Sequence, residues 1–362
     1  MQQFVDQGEV AGVVTLVADK DAVLHCEAVG KSDLERGRAM QVDDLFWIAS
    51  MTKPMTAICV MMLEDEGKLS MEDPVEKHLV EFRGAWMAES REKDRMVLGR
   101  PKRAVTIRDL LTHTGGLRDF KIPRVDSTLG EAVMAYSREP LQFEPGSQWS
   151  YSNPGINTLG RIVEVVSGMP FAEFLQTRLL DPLGMKSTTF WPSPEALAKL
   201  ATSYKRGKDG GPLEKTDLYF TQGDLSNRKR TPVPAGGLFS TAQDVVRVYQ
   251  MMLHGGEWNG VRLLKPETVR KMTTTQTGDI KTGFTEGMSW GLGFQVVKEP
   301  QGVTQMLAAG SFGHGGAYGT QSWADPQSGR VYVMLVQRSG FPNGDASSVR
   351  WGFQEVAAGW KK

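Results

Sequence analysis

Apolar positions near the two ends of the chain occur in short runs that are typical of strands. Residues 13–18 and 22–28 are two such runs, and the polar turn Asp19-Lys20-Asp21 between them predicts an antiparallel hairpin. Similar runs return only late in the sequence, at 293–297, 319–324 and 330–336. The strands are therefore expected to come from the beginning and the end of the chain.

Helical spacing of apolar residues dominates the region between these runs. A helix that is apolar nearly all round follows residue 50 and ends near Gly67, which predicts a central, buried helix. Four further helices are predicted in the body of the chain and one at its end: 106–113, 157–166, 171–179, 241–253 and 346–360. The segment 205–230 is polar and has no periodicity, so it is predicted to be a long loop at the rim of a pocket.

These patterns predict an α+β fold with one antiparallel β-sheet flanked by helices. Residues 1–72 and 235–362 would form the sheet domain, and residues 73–234 would form an inserted, mostly helical lobe. A cleft between two such parts is a common place for a ligand, so we expect the active site there.

Composition excludes several classes of function. The chain has 362 residues with 42 Lys+Arg and 42 Asp+Glu, and this zero net charge argues against a nucleic-acid partner. No apolar run is long enough to span a bilayer. No signal peptide is visible at the start, so a cytoplasmic location and a secreted or periplasmic one with its leader removed both stay open. The pattern does not indicate an oligomeric state.

Cysteine and histidine usage gives no sign of a metal centre or a cofactor. The chain has two cysteines, Cys26 and Cys59, which are too few for a disulfide framework, and we interpret both as buried free thiols. The histidines show no spacing typical of metal ligands: His25, His78, His113, His254 and His314. We therefore expect no metal and no cofactor.

The most informative motif is Ser50-Met51-Thr52-Lys53 at the start of the buried helix. A serine hydroxyl needs a base within hydrogen-bonding reach to act as a nucleophile, and position i+3 of a helix lies on the same face as position i. By itself the motif is weak, because it is far more often a capped helix start with a solvated lysine than a catalytic pair. The apolar residues around it instead place Lys53 at the head of a buried helix, which favours a functional pair.

A second motif is Tyr151-Ser152-Asn153, which follows the turn Glu144-Pro145-Gly146. A nearby cation such as Lys53 could lower the pKa of a tyrosine and let it act as a base or proton relay. The amide of Asn153 could donate to an acyl carbonyl and hold the lysine. Without the serine motif, this triplet would indicate only a packed loop tyrosine.

A third motif, Gly313 to Gly319, opens a predicted strand and contains His314-Gly315-Gly316-Ala317. Glycines let the backbone approach a substrate closely. The backbone N–H groups of Ala317 and Ser50 could then form an oxyanion hole, and His314 would line the cleft and hydrogen-bond the substrate.

Together and in this order, the three motifs resemble those of the serine β-lactamase superfamily. Within that superfamily the chain resembles class C β-lactamases, serine DD-peptidases and, most closely, family VIII carboxylesterases, and the resemblance covers residues from about 10 to about 340. It is supported by the stretches 110–117, 235–241 and 290–294. The implied fold is the β-lactamase/transpeptidase-like fold.

The resemblance also implies roles for individual residues. Ser50 would be the acylated nucleophile, Lys53 its partner in proton transfer, and Tyr151 the base that activates Ser50 and later the deacylating water. Asn153 would position the acyl group. His314, Gly315 and Gly316 would occupy the place of the lysine-threonine-glycine triad, with the Ala317 backbone completing the oxyanion hole. His113 and Asp244 would serve the fold more than the chemistry.

One departure from the family pattern bears on the substrate. Class C β-lactamases carry a lysine in the third motif, where its charge helps to hold the carboxylate of the antibiotic, and here that position is His314. Lys281-Thr282-Gly283 lies earlier in the chain, in a polar segment interpreted as a surface loop, with contact to the rim of the cleft as the alternative.

The expected function is therefore hydrolysis of short-chain esters through an acyl-serine intermediate. A β-lactamase or D-amino-acid peptidase with the same site is the main alternative, and a non-catalytic binding module is a third. The expected partner is therefore a small-molecule ester or amide.

Overall fold

The computed structural model describes residues 1–119, 124–218 and 223–359, in which helices and strands alternate. The helices are α1 Gln2–Asp6, α2 Thr52–Asp65, α3 Val75–His78, α4 Ile107–Leu111, α5 Leu129–Ser137, α6 Asn153–Ser167, α7 Phe171–Leu175, α8 Asp181–Leu183, α9 Pro194–Leu197, α10 Ala242–Leu253, α11 Pro266–Met272 and α12 Ser348–Gly359. The strands are β1 Gly12–Asp19, β2 Val23–Asp33, β3 Arg38–Ala39, β4 Phe46–Trp47, β5 Met87–Arg91, β6 Met96–Gly99, β7 Tyr204–Arg206, β8 Leu213–Lys215, β9 Phe239–Ser240, β10 Glu257–Trp258, β11 Val261–Arg262, β12 Met288–Trp290, β13 Gln295–Val297, β14 Phe312–Gly315, β15 Gln321–Asp325, β16 Arg330–Leu335 and β17 Arg338–Ser339. Within these residues, no helix is both long enough and apolar enough to cross a bilayer.

The main sheet joins strands from the two ends of the chain. Its order is β12-β13-β14-β15-β16-β1-β2-β3, and each neighbouring pair is antiparallel. The two ends meet where β1 pairs with β16, with Val14 opposite Leu335 and Asp19 opposite Arg330. The predicted α+β fold with an antiparallel sheet from both termini is confirmed.

Helices cover both faces of this sheet. Alternate residues of a strand point to opposite faces, so β1 contributes side chains to a different apolar cluster on each face. Val14 and Leu16 of β1 belong to the large apolar cluster that contains α2 and α10. Val13 and Val17 belong to a second cluster, which includes Phe353 of α12. A strand that is buried on both faces in this way is apolar throughout, as residues 13–18 are.

The central helix α2 is buried at every position from Thr52 to Leu63. The sequence predicted a helix that begins at Ser50, but Ser50 lies in a single 3-10 turn, Ala49–Met51, and the α-helix begins at Thr52. Pro54 lies in the first turn of α2, where a backbone N–H group has no partner within the helix. The hydrogen that proline lacks therefore costs no helical hydrogen bond.

Two predicted helices are confirmed with revised ends. Thr106 caps α4 and forms a capping box with Asp109, but the helix stops at Leu111. Helix α6 begins at Asn153, four residues before its predicted start, because the Ser152 side chain caps it by accepting a hydrogen bond from Gly155 N–H.

Two predictions about loops need correction. The segment 205–230 is not a continuous loop, since β7 and β8 form a small hairpin within it, and residues 219–222 lie outside the described residues. The third motif also includes part of a strand, since its residues 313–315 end β14, and its remaining residues form the turn that leads into β15. The strand residues pair with β15, and the Gly316–Thr320 turn joins the two strands.

Gly293 sets the distance between the sheet and α2. Its φ is +80°, and a β-carbon there would lie 2.2 Å from the Ala57 β-carbon. The Gly293 N–H also donates to Leu111 O at 3.0 Å. This residue therefore holds β13, α2 and α4 in contact, and nothing larger than glycine fits.

We expect Gly293→Ala to lower the free energy of unfolding by about 2–4 kcal/mol, because it adds overpacking to backbone strain. Gly278→Ala is the matched control, since Gly278 has φ of +56° but nothing within 4 Å of the added β-carbon. The control should lose only about 1 kcal/mol. Urea unfolding of both variants measures the difference, and equal losses would contradict the packing argument.

Candidate active site

Ser50 is presented by a short turn between β4 and α2. Strand β4 pairs with β9, so the chain enters the turn from a fixed position. Ala49 has φ of +45°, an uncommon left-handed conformation for a residue with a β-carbon. Ala49 and Met51 are buried, whereas Ser50 is partly exposed. A rigid, unusual turn thus projects one hydroxyl out of the core.

Lys53 lies beside this hydroxyl and is completely buried. Its Nζ is 3.0 Å from Ser50 Oγ and 2.5 Å from the carbonyl oxygen of Ala235. Burial lowers the pKa of Lys53 well below its usual value, and only the charge of Asp119 acts in the opposite direction. The amine therefore favours its neutral form, whose lone pair can accept a proton.

The ring of Tyr151 completes this group. Lys53 Nζ lies 4.7 Å from the ring centroid, and the tyrosine hydroxyl hydrogen-bonds with Ser50. Burial around the hydroxyl raises the pKa of Tyr151, the bond to Ser50 lowers it, and the charges of Asp345 and Asp119 raise it further. The phenol is therefore protonated at neutral pH. The structure brings Ser50, Lys53 and Tyr151 together.

Asn153 is the first residue of α6 and is partly exposed. Within the described chain, the hydrogen bonds of Lys53 go to Ser50 and Ala235, so the expected contact between the Asn153 amide and the lysine is not made. Asn153 follows Tyr151 by two residues and stays near the site by its place in the chain.

His314 lies inside β14 and is almost completely buried. Its Nδ1 donates to the carbonyl oxygen of Gly315 at 2.6 Å, so Nε2 is left as the acceptor nitrogen. Burial is the largest cause that lowers the pKa of His314, to about 3. The ring centroid is 6.1 Å from that of Tyr151. The imidazole is therefore neutral and faces the tyrosine.

The glycines that follow His314 allow close packing at the end of β14. A β-carbon on Gly316 would lie 2.1 Å from Thr320 Oγ1 and 2.7 Å from the carbonyl oxygen of Ile48. The turn that carries the exposed Ala317 therefore lies against the residues that directly precede Ser50. This arrangement brings the Ala317 and Ser50 backbones to the same side of the site.

A model of the β-lactamase family matches residues 1–352 of the sequence. The chain belongs to the β-lactamase family. Among curated relatives, an uncharacterized protein of Mycobacterium tuberculosis is 32% identical over 363 residues, which is 93% of this chain and 88% of that protein. Esterase EstB of Burkholderia gladioli is 28% identical over 365 residues, 92% of this chain and 88% of the esterase.

Further β-lactamase-family comparisons agree with this assignment. A putative D-alanyl-D-alanine carboxypeptidase of Escherichia coli O157:H7 is 28% identical over 373 residues, covering 95% of this chain and 82% of that protein. The solved structure of EstCE1, a hydrolase with promiscuous acyltransferase activity, has a TM-score of 0.81 at 24% identity, with 99% of this chain and 95% of that chain covered. The predicted superfamily and fold are confirmed, and the protein is a serine hydrolase of the β-lactamase fold.

His113 of this β-lactamase-family chain has a larger part in the site than the sequence indicated. Its Nδ1 accepts a hydrogen bond from Ser152 N–H at 3.1 Å, and its carbonyl oxygen accepts one from Ser150 N–H at 3.0 Å. These two bonds hold the backbone on both sides of Tyr151. The His113 ring also lies 4.6 Å from the Tyr151 ring, and burial lowers the pKa of His113 well below its usual value.

The loop with Lys281-Thr282-Gly283 also reaches the site. Thr282 is buried and donates to the carbonyl oxygen of Met288, which fixes the loop. Phe284, which follows Gly283, places its ring 5.0 Å from that of Tyr151 and 5.7 Å from that of Trp149. Phe284 is 40% exposed, so it forms an apolar wall at the edge of the site. The polar character of the segment gave no signal of this contact.

We expect His113→Gly to lower kcat about 10–100-fold with little change in KM, because Tyr151 would lose its backbone anchor and small misplacements are costly in catalysis. Glycine accepts the φ of +60° at this position, so backbone strain is not a second cause. His113→Asn is the matched variant, since its side-chain oxygen can replace Nδ1 and asparagine tolerates this φ. Steady-state kinetics should show recovery of kcat in the asparagine variant; equal kcat values in the two variants would contradict the positioning role.

Proposed function

We propose that the protein is a carboxylesterase that cleaves short-chain esters through an acyl intermediate on Ser50. The observation that carries the proposal is the 3.0 Å separation between Ser50 Oγ and a fully buried Lys53 Nζ. A serine hydroxyl becomes a nucleophile when a neutral base accepts its proton. The similarity to a protein named as an esterase over 92% of this chain supports the same assignment.

Lys53 is proposed as the base in the first step. The sequence left open whether Lys53 is neutral or acts as a cation that lowers the pKa of Tyr151, and the pKa directions favour the neutral amine. One N–H of that amine donates to Ala235 O, and the lone pair takes the proton of Ser50 as Oγ attacks the ester carbonyl carbon. The developing oxyanion would be bound by the N–H groups of Ser50 and Ala317.

Tyr151 is proposed as the proton relay between Lys53 and the leaving group, and not as the base. Its protonated phenol can give a proton to the ester oxygen as the C–O bond breaks, and the ammonium of Lys53 then returns a proton to Tyr151. The alcohol leaves and the acyl group stays on Ser50. In deacylation, water attacks that carbonyl carbon while the same pair takes its proton and returns one to Ser50 Oγ.

The side chains around Ser50, Lys53 and Tyr151 suit a substrate that is neutral and has apolar parts. His314 is uncharged, and its Nε2 is buried without a partner in the described chain, so we propose that it accepts a hydrogen bond from the substrate or from Tyr151. Phe284 and Trp149 form an aromatic wall against which an apolar acyl or alcohol group would pack. Asn153 would contact the acyl group at the opposite end of the Tyr151-Ser152-Asn153 triplet.

We also propose that the substrate enters between two parts of the chain. Residues 1–72 and 235–362 would form one part and 73–234 the other. The hydrogen bond between Lys53 and Ala235 lies within the first part, while Tyr151 approaches from the second. A cleft of this kind lets each part supply a portion of the reaction geometry.

A β-lactamase or D-amino-acid peptidase with the same triad is the second candidate. It is supported by the similarity to a protein named as a putative D-alanyl-D-alanine carboxypeptidase, which covers 95% of this chain. A non-catalytic module is disfavoured, because such a module would not need a buried lysine within hydrogen-bonding distance of a serine.

Ser50→Ala should lower ester hydrolysis by about 10³-fold or more while the fold stays intact, because it removes the nucleophile. The assay compares p-nitrophenyl butyrate with nitrocefin, for wild type, Ser50→Ala and the exposed-site control Ser187→Ala. Ester turnover that depends on Ser50, with little nitrocefin turnover, supports the esterase. Efficient nitrocefin turnover would favour the β-lactamase, and wild-type ester rates in Ser50→Ala would contradict both.

The value of kcat/KM should fall at acid pH, with an apparent pKa below the usual range for lysine. Burial depresses the pKa of Lys53, so the active neutral amine persists to lower pH than in an ordinary lysine, and activity is lost as falling pH protonates it. Lys53→Arg, whose guanidinium stays charged, should lose about 10²–10⁴-fold of activity. Lys186→Arg at an exposed position is the control. Activity that rises steadily through the alkaline range would contradict a neutral Lys53.

A further inference from the structure

A carboxylate from the end of the chain lies directly beside the third motif. The 3-10 turn Gly344–Ala346 places Asp345 so that a β-carbon added to Gly315 would lie 2.2 Å from Asp345 Oδ1. Gln321 Nε2 donates to the same oxygen at 3.0 Å. The side chain of Asp345 is 15% exposed. Gly315 therefore leaves the space that an ordered carboxylate fills at the edge of β14.

This carboxylate is close enough to the reaction centre to affect it. After burial, which is the largest cause, the charge of Asp345 contributes to raising the pKa of Tyr151. Asp345 lies between β17 and α12, outside the three motifs, so the sequence did not indicate this contact.

Asp345 has an ion-pair partner, Arg350, on the side of the sheet away from the site. Arg350 Nη1 lies 3.9 Å from Asp345 Oδ1, but the arginine side chain is 1% exposed. Its guanidinium lies 4.4 Å from the Trp323 ring centroid and donates to Gln354 and to the backbone oxygen of Asp345. Trp323 belongs to the apolar cluster that α12 covers, so Arg350 is enclosed on that side of the sheet.

The other two candidate cations of the site favour their neutral forms. Burial lowers the pKa of both Lys53 and His314. Neither residue therefore offsets the Asp345 charge, and a substrate carboxylate near β14 would be repelled by it. Repulsion of this kind discriminates between substrates without any new attractive contact.

We propose that Asp345 makes the site select against substrates that carry a carboxylate near the scissile bond, and so restricts it to neutral or cationic esters. This inference rests on the proposed esterase function. It assigns the discrimination to a residue outside the three motifs. The proposal also explains why residue 315 is a glycine, because any side chain there would displace the Asp345 carboxylate.

The test uses two ester pairs that differ in charge but little in shape. On the alcohol side, 3-carbamoylphenyl butyrate is compared with 3-carboxyphenyl butyrate. On the acyl side, the 4-nitrophenyl ester of 4-carbamoylbutyric acid is compared with the mono-4-nitrophenyl ester of glutaric acid. The measured quantity is the ratio of kcat/KM for the neutral ester to that for its charged partner.

Asp345→Asn should lower this ratio about tenfold or more for at least one pair, with the neutral ester changed less than about threefold. Asparagine keeps the oxygen that accepts from Gln321, so the fold should be retained. Glu355→Gln removes the same charge from an exposed position of α12 and should leave both ratios unchanged. Ratios in Asp345→Asn that match those of wild type would overturn the proposal.

Salt supplies a test that needs no variant. Raising the ionic strength should speed wild-type hydrolysis of the charged ester relative to its neutral partner, because it screens the repulsion. If Asp345→Asn does not fold, a wild-type ratio that is independent of salt for both pairs overturns the proposal. A wild type that hydrolyses none of the four esters would instead contradict the esterase function itself, so the two failures are distinguishable.

Discussion

The site depends on the burial of one lysine amine next to Ser50. Moving an ammonium group from water into a protein interior carries an effective penalty of several kcal/mol unless an opposite charge compensates it. Lys53 is 0% exposed, and its hydrogen bonds go to a hydroxyl and a backbone carbonyl. The neutral amine is the form that such surroundings tolerate, and a neutral amine is also what a serine nucleophile needs. Stability and chemistry therefore favour the same protonation state.

Close backbone approach makes this burial possible. Ala49 and His113 adopt positive φ angles on either side of the triad, which are uncommon for residues that have a β-carbon. Gly316 lets the turn after β14 touch the chain before Ser50, and Gly293 lets the sheet touch α2. The carbonyl oxygen of Ala235 lies against the amine itself, and His113 holds the backbone on both sides of Tyr151.

The sequence predicted the parts of the site that are local. Ser50 and Lys53 are three residues apart, so their proximity follows from helical geometry alone, and the runs at both ends of the chain predicted the sheet. Contacts between distant segments left no local pattern. Phe284 sits in a polar stretch that resembles a surface loop, and Asp345 lies in an irregular turn. Only the folded chain shows that Phe284 lies against Tyr151 and Asp345 beside Gly315. The third motif was expected to open the strand that follows it, whereas its first residues end β14 and Gly316 begins the turn to β15. Neighbouring groups there leave no room for side chains at Gly315 and Gly316.

The central claim is that Ser50 carries the acyl group between the two half-reactions. Rapid mixing with p-nitrophenyl butyrate, acid quenching and peptide mass spectrometry would test it most directly. We predict a butyryl group on the peptide that contains Ser50, formed in step with the release of nitrophenol and lost on a slower timescale, and none in Ser50→Ala. Turnover of the ester with the butyryl group on another residue, or unchanged turnover in Ser50→Ala, would contradict the account.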